Sequence, residues 1–254
     1  MRYAAALKVL AGVFGFGTLI LIAGREWREA TGFLVAGLSV GLLLWLAGLR
    51  GEDRHRAMRA EAGSLGLRYS SKDRFDLLDQ PFRLLRWTRR SYGAIENVLW
   101  GVWGDRHVKA FDYAYVGTNE DRVELSCALV AINEGWPDLV IRPETFLTEL
   151  GDRLAMPDVR FEWEAFNRVF DVRCEDRRFA SALIDARMME WLLGLGAGWG
   201  FEVVGPWLLG YRRRVQPWEL RGVLETLATF LDKVPQAARS LHPASVPPRP
   251  DPVA

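Results

Sequence analysis

The hydrophobic pattern begins with two long apolar runs, residues 3–24 and 30–49, separated by five mostly charged residues. Each run has about 20 residues, roughly the length of helix that crosses a hydrocarbon core. The pattern therefore predicts a transmembrane helical hairpin over residues 1–50. A cleaved signal peptide is the alternative for the first run, because Arg2 and Lys8 make its start basic.

The charges that flank the two runs predict the topology. Lysine and arginine are more frequent on the outer flanks than in the connecting loop, and such residues favour the cytoplasmic side. We therefore expect an integral, multi-pass protein of the cell (inner) membrane with both termini in the cytoplasm. On this prediction, the lipid bilayer is a partner through the N-terminal hairpin.

Beyond residue 50 the pattern changes to short alternating and amphipathic segments. It predicts a juxtamembrane helix at residues 51–65, a cytoplasmic domain at 66–235 and a disordered, proline-rich tail at 236–254. Within the domain, adjacent strands with interspersed helices are typical of an antiparallel fold. The predicted fold class is therefore α+β: a two-helix transmembrane hairpin followed by one antiparallel-sheet domain with packed helices.

Turn residues and apolar periodicity locate the elements of this domain. Gly104 and Asp105 suit the two-residue type II′ turn of a β-hairpin, and residues 205–206 separate a second pair of strands. Asp176 is a candidate N-cap for a helix that ends at residue 193. Pro217 starts the last helix, whose apolar residues share one face. Further strands are predicted at residues 122–132, 138–141 and 170–174.

The first hairpin brings two polar residues together on an apolar face. Counting back from its turn places Asn97 opposite Asp112. One interpretation is a hydrogen bond between the strands that satisfies a half-buried carboxylate. The alternative is an acid that lines a pocket and has a raised pKa. Asp112 and Asn97 are therefore the two candidate binding residues.

Charge and cysteine content exclude some classes of protein. The chain has a formal net charge of +1 at pH 7, and the part after residue 50 is slightly acidic. No nucleic-acid partner is expected, because such proteins carry a basic surface. For Cys127 and Cys174, apolar surroundings and a reducing compartment favour buried free thiols over a disulfide.

The sequence contains no pattern that is typical of a catalytic, cofactor or metal site. Glycines alternate at residues 194–200, but they follow a helix, whereas a phosphate-binding loop precedes one. The three histidines, His55, His107 and His242, lie in separate segments and do not form a metal site. We therefore expect a protein that is not an enzyme, with no catalytic residue, cofactor or metal.

One stretch resembles a known family. Residues 161–172 read F-E-W-E-A-F-N-R-V-F-D-V. This run is similar to the F-E-x-E-x-F-N-R-x-F-x-V core of an uncharacterised family of bacterial membrane-associated proteins. The resemblance extends over residues 95–234 and departs from the family pattern at residues 184–187. It implies a cytoplasmic α+β domain of unknown function after spanning helices, and no catalytic or ligand-binding residue. Other stretches that fit the pattern are Asp176, residues 178–180, 189–193 and 110–115.

Two functions remain as hypotheses. The first is a membrane-anchored cytoplasmic binding or scaffolding module with a possible protein partner on the cytoplasmic side. The rings of Trp100, Tyr113 and Tyr115 form its partner surface if they are exposed; otherwise they belong to the core. The second is a membrane-bound enzyme with an acid-based site near Asp112, which a deep pocket there favours.

Overall fold

The computed structural model describes Val35, Ser39 and residues 53–88, 92–117, 120–144 and 156–243. The chain divides into two compact units, Met1–Ala57 and Met58–Ala254. The second unit contains all the strands described below.

Eight antiparallel strands form one sheet in the second unit. In space their order is β1-β2-β3-β4-β8-β7-β5-β6. Strands that follow one another in sequence are therefore neighbours in the sheet, except that β4 pairs with β8 and that β5, not β6, lies beside β7. The strands are β1 (Arg68–Lys72), β2 (Ala94–Trp103), β3 (Arg106–Val116), β4 (Arg122–Ala131), β5 (Leu139–Pro143), β6 (Phe170–Cys174), β7 (Trp199–Val204) and β8 (Trp207–Arg213).

Short helices connect or cover these strands. Residues 53–64 are helical and are called α1. The helices with described bounds are α2 (Arg83–Thr88), α3 (Glu164–Asn167), α4 (Arg177–Leu183), α5 (Ala186–Leu195), α6 (Leu220–Lys233) and α7 (Gln236–Leu241), and 3-10 turns occur at Leu77–Asp79 and Pro217–Glu219.

Both faces of the sheet bury apolar side chains. On one face, residues such as Ala110 and Ala128 pack with helices that include α4 and α6. On the other face, Phe111 and Cys127 pack under Leu77, Phe82, Leu84 and Leu85. These four belong to residues 73–88, which we call the cover segment. Cys127 and Cys174 are buried free thiols, as predicted.

The first hairpin follows the predicted register as far as a β-bulge. Gly104 has the positive φ of 65° that its turn requires, and Trp103 pairs with Arg106. Between Glu96 and Leu99 the register shifts by one residue, and Asn97 has a φ of 56°. Glu96, rather than Asn97, therefore lies directly opposite Asp112. A bulge inserts one extra residue and moves every side chain before it to the other face.

The other elements agree closely with the apolar pattern. Val204 pairs with Trp207 across the second hairpin, and the apolar stripe of α6 is buried. The Asp176 carboxylate accepts a hydrogen bond from the Phe179 amide, 2.9 Å away, at the start of α4.

Two helical segments differ from the prediction. The predicted long helix is divided into α4 and α5, because Asp185 caps a second helix N-terminus. Helix α7 lies at the beginning of the region in which the composition predicts disorder, and residues 244–254 lie outside the described part.

The two edge strands of the sheet have different surroundings. Along β6, the Val159 amide donates to the Val172 carbonyl oxygen and the Cys174 amide donates to the Pro157 carbonyl oxygen. Along β1, the Ser70 hydroxyl donates to the backbone carbonyl of Lys72 and accepts from its amide, at 2.8 and 3.2 Å.

The prediction of a transmembrane hairpin is wrong on the evidence of the described residues, in which no helix is both long and apolar enough to cross a membrane. The longest helix with described bounds, α6, has 14 residues and one polar face, whereas a span needs about 20 apolar residues. The predicted localisation as an integral, multi-pass membrane protein depends on this hairpin and is therefore wrong as well. The described residues also give no support to the predicted anchor in the bilayer. The two apolar runs themselves fall on residues 1–50, of which only Val35 and Ser39 are described.

Candidate functional site

The predicted polar pair forms part of a chain of hydrogen bonds across three strands. The Asn97 amide nitrogen donates to the Asp112 carboxylate at 2.8 Å, and the Tyr69 hydroxyl donates to the Asn97 amide oxygen at 2.8 Å. Asn97 and Asp112 are both buried. Although the bulge removes Asn97 from its predicted position opposite Asp112, it keeps the two side chains in contact. These bonds link β1, β2 and β3.

A second set of polar residues lies on the opposite face of the sheet, beneath the cover segment. Lys109, Leu129, Leu209 and Glu202 lie side by side on β3, β4, β8 and β7. A buried basic residue, Lys109, and a buried acidic residue, Glu202, therefore lie at the two ends of one row. Nothing in the local sequence pairs them, because they are far apart along the chain.

Lys109 lies between two aromatic rings. Its ammonium nitrogen is 4.6 Å from the centroid of the Phe75 ring and 4.6 Å from that of Trp207. Such contacts stabilise a cation by electrostatic attraction to the face of the ring. Because Phe75 belongs to the cover segment and Trp207 to β8, Lys109 also joins the cover to the sheet.

A cavity of about 140 Å³ lies next to Lys109. The cover segment contributes one wall and the sheet the other. The wall residues are Phe75, Leu77, Gln80 and Phe82 from the cover, and Lys109, Leu129 and Trp207 from the sheet. Asp112 points to the other face of the sheet and does not line this cavity.

Glu202 holds the N-terminus of α2 against the sheet. Its two carboxylate oxygens accept hydrogen bonds from the amides of Arg83 and Leu84, at 2.7 and 2.9 Å. Burial raises the pKa of Glu202 from 4.5 to about 7, although these hydrogen bonds and the charges of Arg83 and Arg142 lower it. At the other end of α2, the Thr88 and Tyr113 hydroxyl groups are hydrogen-bonded to each other.

A buried ion pair joins β5 and β6. The guanidinium Nε of Arg142 lies 2.8 Å from a carboxylate oxygen of Asp171, and both side chains are almost completely buried. Arg173 contacts the other oxygen of Asp171 at 2.9 Å. Because a buried charge is costly unless it is paired, this pair fixes the position of the β6 edge of the sheet.

The exposed aromatic side chains of the described residues are Tyr92, Trp163 and Trp218, and none of them belongs to the hairpin face singled out in the sequence. Tyr113 and Tyr115 are buried, and the half-buried Trp100 packs against the same core, so these rings belong to the core, which is the second of the two alternatives. Trp218 instead has 68% of its surface exposed. It lies in the 3-10 turn between buried Pro217 and buried Leu220, which directs its ring away from the domain.

The Trp218 turn is held firmly in place. The amide of Val215 donates to the hydroxyl of Ser126 at 3.1 Å, and the amide of Gln216 donates to the Glu219 carboxylate at 2.7 Å. Two exposed arginines, Arg214 and Arg221, are close to Trp218 along the chain. In the sequence, this exposed turn is marked by a tryptophan that lies just before the apolar stripe of α6 and has an arginine within four residues on each side.

Metal-binding geometry is absent from the part of the chain that the structure describes, where no group of three or more His, Cys, Asp or Glu side chains could hold an ion. His242, for example, contacts the N-cap residue Asp176 at 3.0 Å and the edge of the Phe179 ring. This contact fastens the end of α7 to the start of α4.

The domain is an α+β fold in which one antiparallel sheet has helices on one face and a short cover segment on the other. A similar fold occurs in the crystal structure of the mycobacterial trehalose monomycolate transport factor A, TtfA. The TM-score is 0.56 at 16% sequence identity, and the match covers 78% of this chain and 98% of that chain. At this identity the likeness concerns the fold alone.

No protein-family model matches the sequence, and comparison with curated proteins gives no match. The resemblance to an uncharacterised bacterial family therefore stays a prediction.

Proposed function

We propose that this domain is a non-catalytic binding module that serves as an accessory factor in the transport of a lipid. The observation that carries the proposal is the hydrogen-bonded chain of Tyr69, Asn97 and Asp112, in which the candidate acid is used to join strands. A general acid or base needs access to a substrate proton. Asp112 is buried beside Asn97 and does not line the described cavity.

The transport role is suggested by the fold. TtfA is named as a trehalose monomycolate transport factor, and its fold resembles this one over nearly its whole length. The cavity of about 140 Å³ is smaller than the ~300 Å³ or more of a typical ligand pocket. A small cavity favours a factor that works by contacting another protein over one that encloses a lipid.

Trp218 is the best candidate for that contact. Tryptophan and arginine are the residues that contribute most to binding at protein interfaces. A rigid turn presents the ring without the entropic cost of ordering a mobile loop. We therefore place the partner surface at Trp218, Arg214 and Arg221.

The first prediction concerns Asp112. We expect Asp112→Asn to fold and to function like the natural chain, because an asparagine oxygen can accept the hydrogen bond from Asn97. The natural chain and the variant would each be expressed in cells that lack the natural chain. Lipids labelled with radioactive acetate would then be separated into surface and cell-associated fractions, and the fractions would be compared by chromatography. Both the natural chain and Asp112→Asn are expected to restore the natural distribution.

Glu96→Gln is the matched control, since Glu96 is exposed and lies opposite Asp112. A folded Asp112→Asn protein that fails where Glu96→Gln succeeds favours the alternative, an enzyme with an acid-based site near Asp112. If removing the chain changes the distribution of no labelled lipid, the proposed transport role is rejected.

The second prediction concerns the partner surface. We expect Trp218→Ala to fold normally, since the ring is mostly exposed, and yet to fail in the same lipid assay. Trp163→Ala is the control, because Trp163 is also exposed and lies on a separate element. Equal performance of the two variants argues against Trp218 as the contact residue.

A further inference from the structure

The cavity beneath the cover segment combines one cationic group with apolar walls. Lys109, Gln80 and the indole of Trp207 are its side chains with hydrogen-bonding groups, and the other wall residues are phenylalanine and leucine. A lysine ammonium has three N–H donors and no acceptor, and the Gln80 amide adds two more donors. The cavity therefore offers donors at one place and an apolar surface around them.

The rings on Lys109 fix the position of its charge. With Phe75 and Trp207 both 4.6 Å from the ammonium nitrogen, the side chain is held rather than free to extend into solvent. It is only 6% exposed. A fixed cation in a partly dry site attracts an anion more strongly than a lysine on the surface does.

We propose that this cavity is a binding site for a small carboxylate anion with a short apolar chain. The carboxylate would accept hydrogen bonds from Lys109 and Gln80, and the chain would contact Leu77, Phe82 and Leu129. A volume of about 140 Å³ accommodates about five non-hydrogen atoms if each occupies the ~30 Å³ of a water molecule. Propionate has five non-hydrogen atoms, and butyrate has one more.

The composition of the walls favours a carboxylate over a phosphate. A phosphate dianion carries two negative charges where the cavity has one lysine, and it has no apolar part to contact the leucine and phenylalanine side chains. A carboxylate carries a single negative charge, which one lysine ammonium balances, and its two oxygens can accept from Lys109 and Gln80. The proposal does not depend on the transport function.

The experiment titrates the natural chain with sodium butyrate, with sodium chloride of equal ionic strength as the reference. At about five times its Kd, butyrate is expected to raise Tm by about 2–4 °C. Methyl NMR is expected to place the largest shifts at Leu77 and Leu129. Inorganic phosphate at the same ionic strength is expected to raise Tm by less than 1 °C, on the order of a surface ion effect.

Lys109→Met is the main variant, because methionine retains an apolar chain between the two rings and removes the charge. We expect it to lose the Tm shift, whereas Lys72→Met, at an exposed lysine of β1, retains it. If Lys109→Met does not fold, Gln80→Leu on the half-buried cover position tests the same site, with at least a threefold weaker affinity expected.

Three outcomes would overturn the proposal. Butyrate could give no shift beyond that of chloride, Lys109→Met or Gln80→Leu could bind as tightly as the natural chain, or phosphate could shift Tm while butyrate does not. All three are independent of the lipid assay, so a failure here leaves the proposed function standing.

Discussion

Replacing Asp171 with alanine is expected to lower the free energy of unfolding by about 3–5 kcal/mol, the usual cost of removing one partner of a buried ion pair. The Arg142 side chain is 1% exposed and that of Asp171 4%, so water cannot replace the lost carboxylate. Arg173 loses its contact with Asp171 as well. The measurement is urea denaturation followed by circular dichroism.

Asp158→Ala is the matched control for Asp171→Ala. Asp158 contacts Arg160 at 3.2 Å, but both side chains are substantially exposed, and such pairs contribute about 0–1 kcal/mol. If the two variants lose similar amounts of stability, the Arg142–Asp171 pair does not have the role that its burial indicates.

Glu202→Gln is expected to change how stability depends on pH. The folded pKa of about 7 lies above the ordinary value of 4.5, so the folded domain favours the protonated acid. The contribution of Glu202 to stability is therefore fully present below pH 4.5 and is lost as the pH rises through 7. With 1.36 kcal/mol for each unit of pKa difference, the loss is about 3 kcal/mol.

Glutamine does not titrate, so this loss is absent from the variant. The free energy of unfolding of Glu202→Gln, relative to the natural chain, should rise by about 3 kcal/mol between pH 4.5 and 8. Hydrogen exchange at the Arg83 and Leu84 amides should show the same trend, since both donate to Glu202. Curves of Glu202→Gln and the natural chain that stay parallel over this pH range would contradict the prediction.

Local chemistry explains which parts of the fold are predictable from the sequence. Gly104 fixes the first turn and hence the pairing of Trp103 with Arg106, because a type II′ turn defines the register of the residues beside it. The apolar stripe of α6 likewise predicts its buried face. The bulge at Asn97 is different, since a non-glycine residue with positive φ depends on contacts from β1 and β3 that the local pattern does not contain.

The same distinction applies to the candidate site. The contact between Asn97 and Asp112 is predictable, because both lie on one hairpin. The row that contains Lys109 and Glu202 is not, because it depends on β8 pairing with both β4 and β7. Nor does the sequence reveal that residues 73–88 cover the second face, since their pattern is short and irregular. The apolar runs at the N-terminus predicted a membrane hairpin from length and hydropathy alone.

The treatment of the two sheet edges has a consequence for self-association. A strand with free backbone groups recruits further strands, which leads to aggregation or domain swapping. Here residues 157–159 already occupy the outer side of β6, and the Ser70 hydroxyl engages both backbone groups of Lys72 on β1. The β6 edge is thus not a ready template for an incoming chain, and on β1 the backbone groups of Lys72 are already engaged. High protein concentration alone should therefore not extend the sheet from its β6 side.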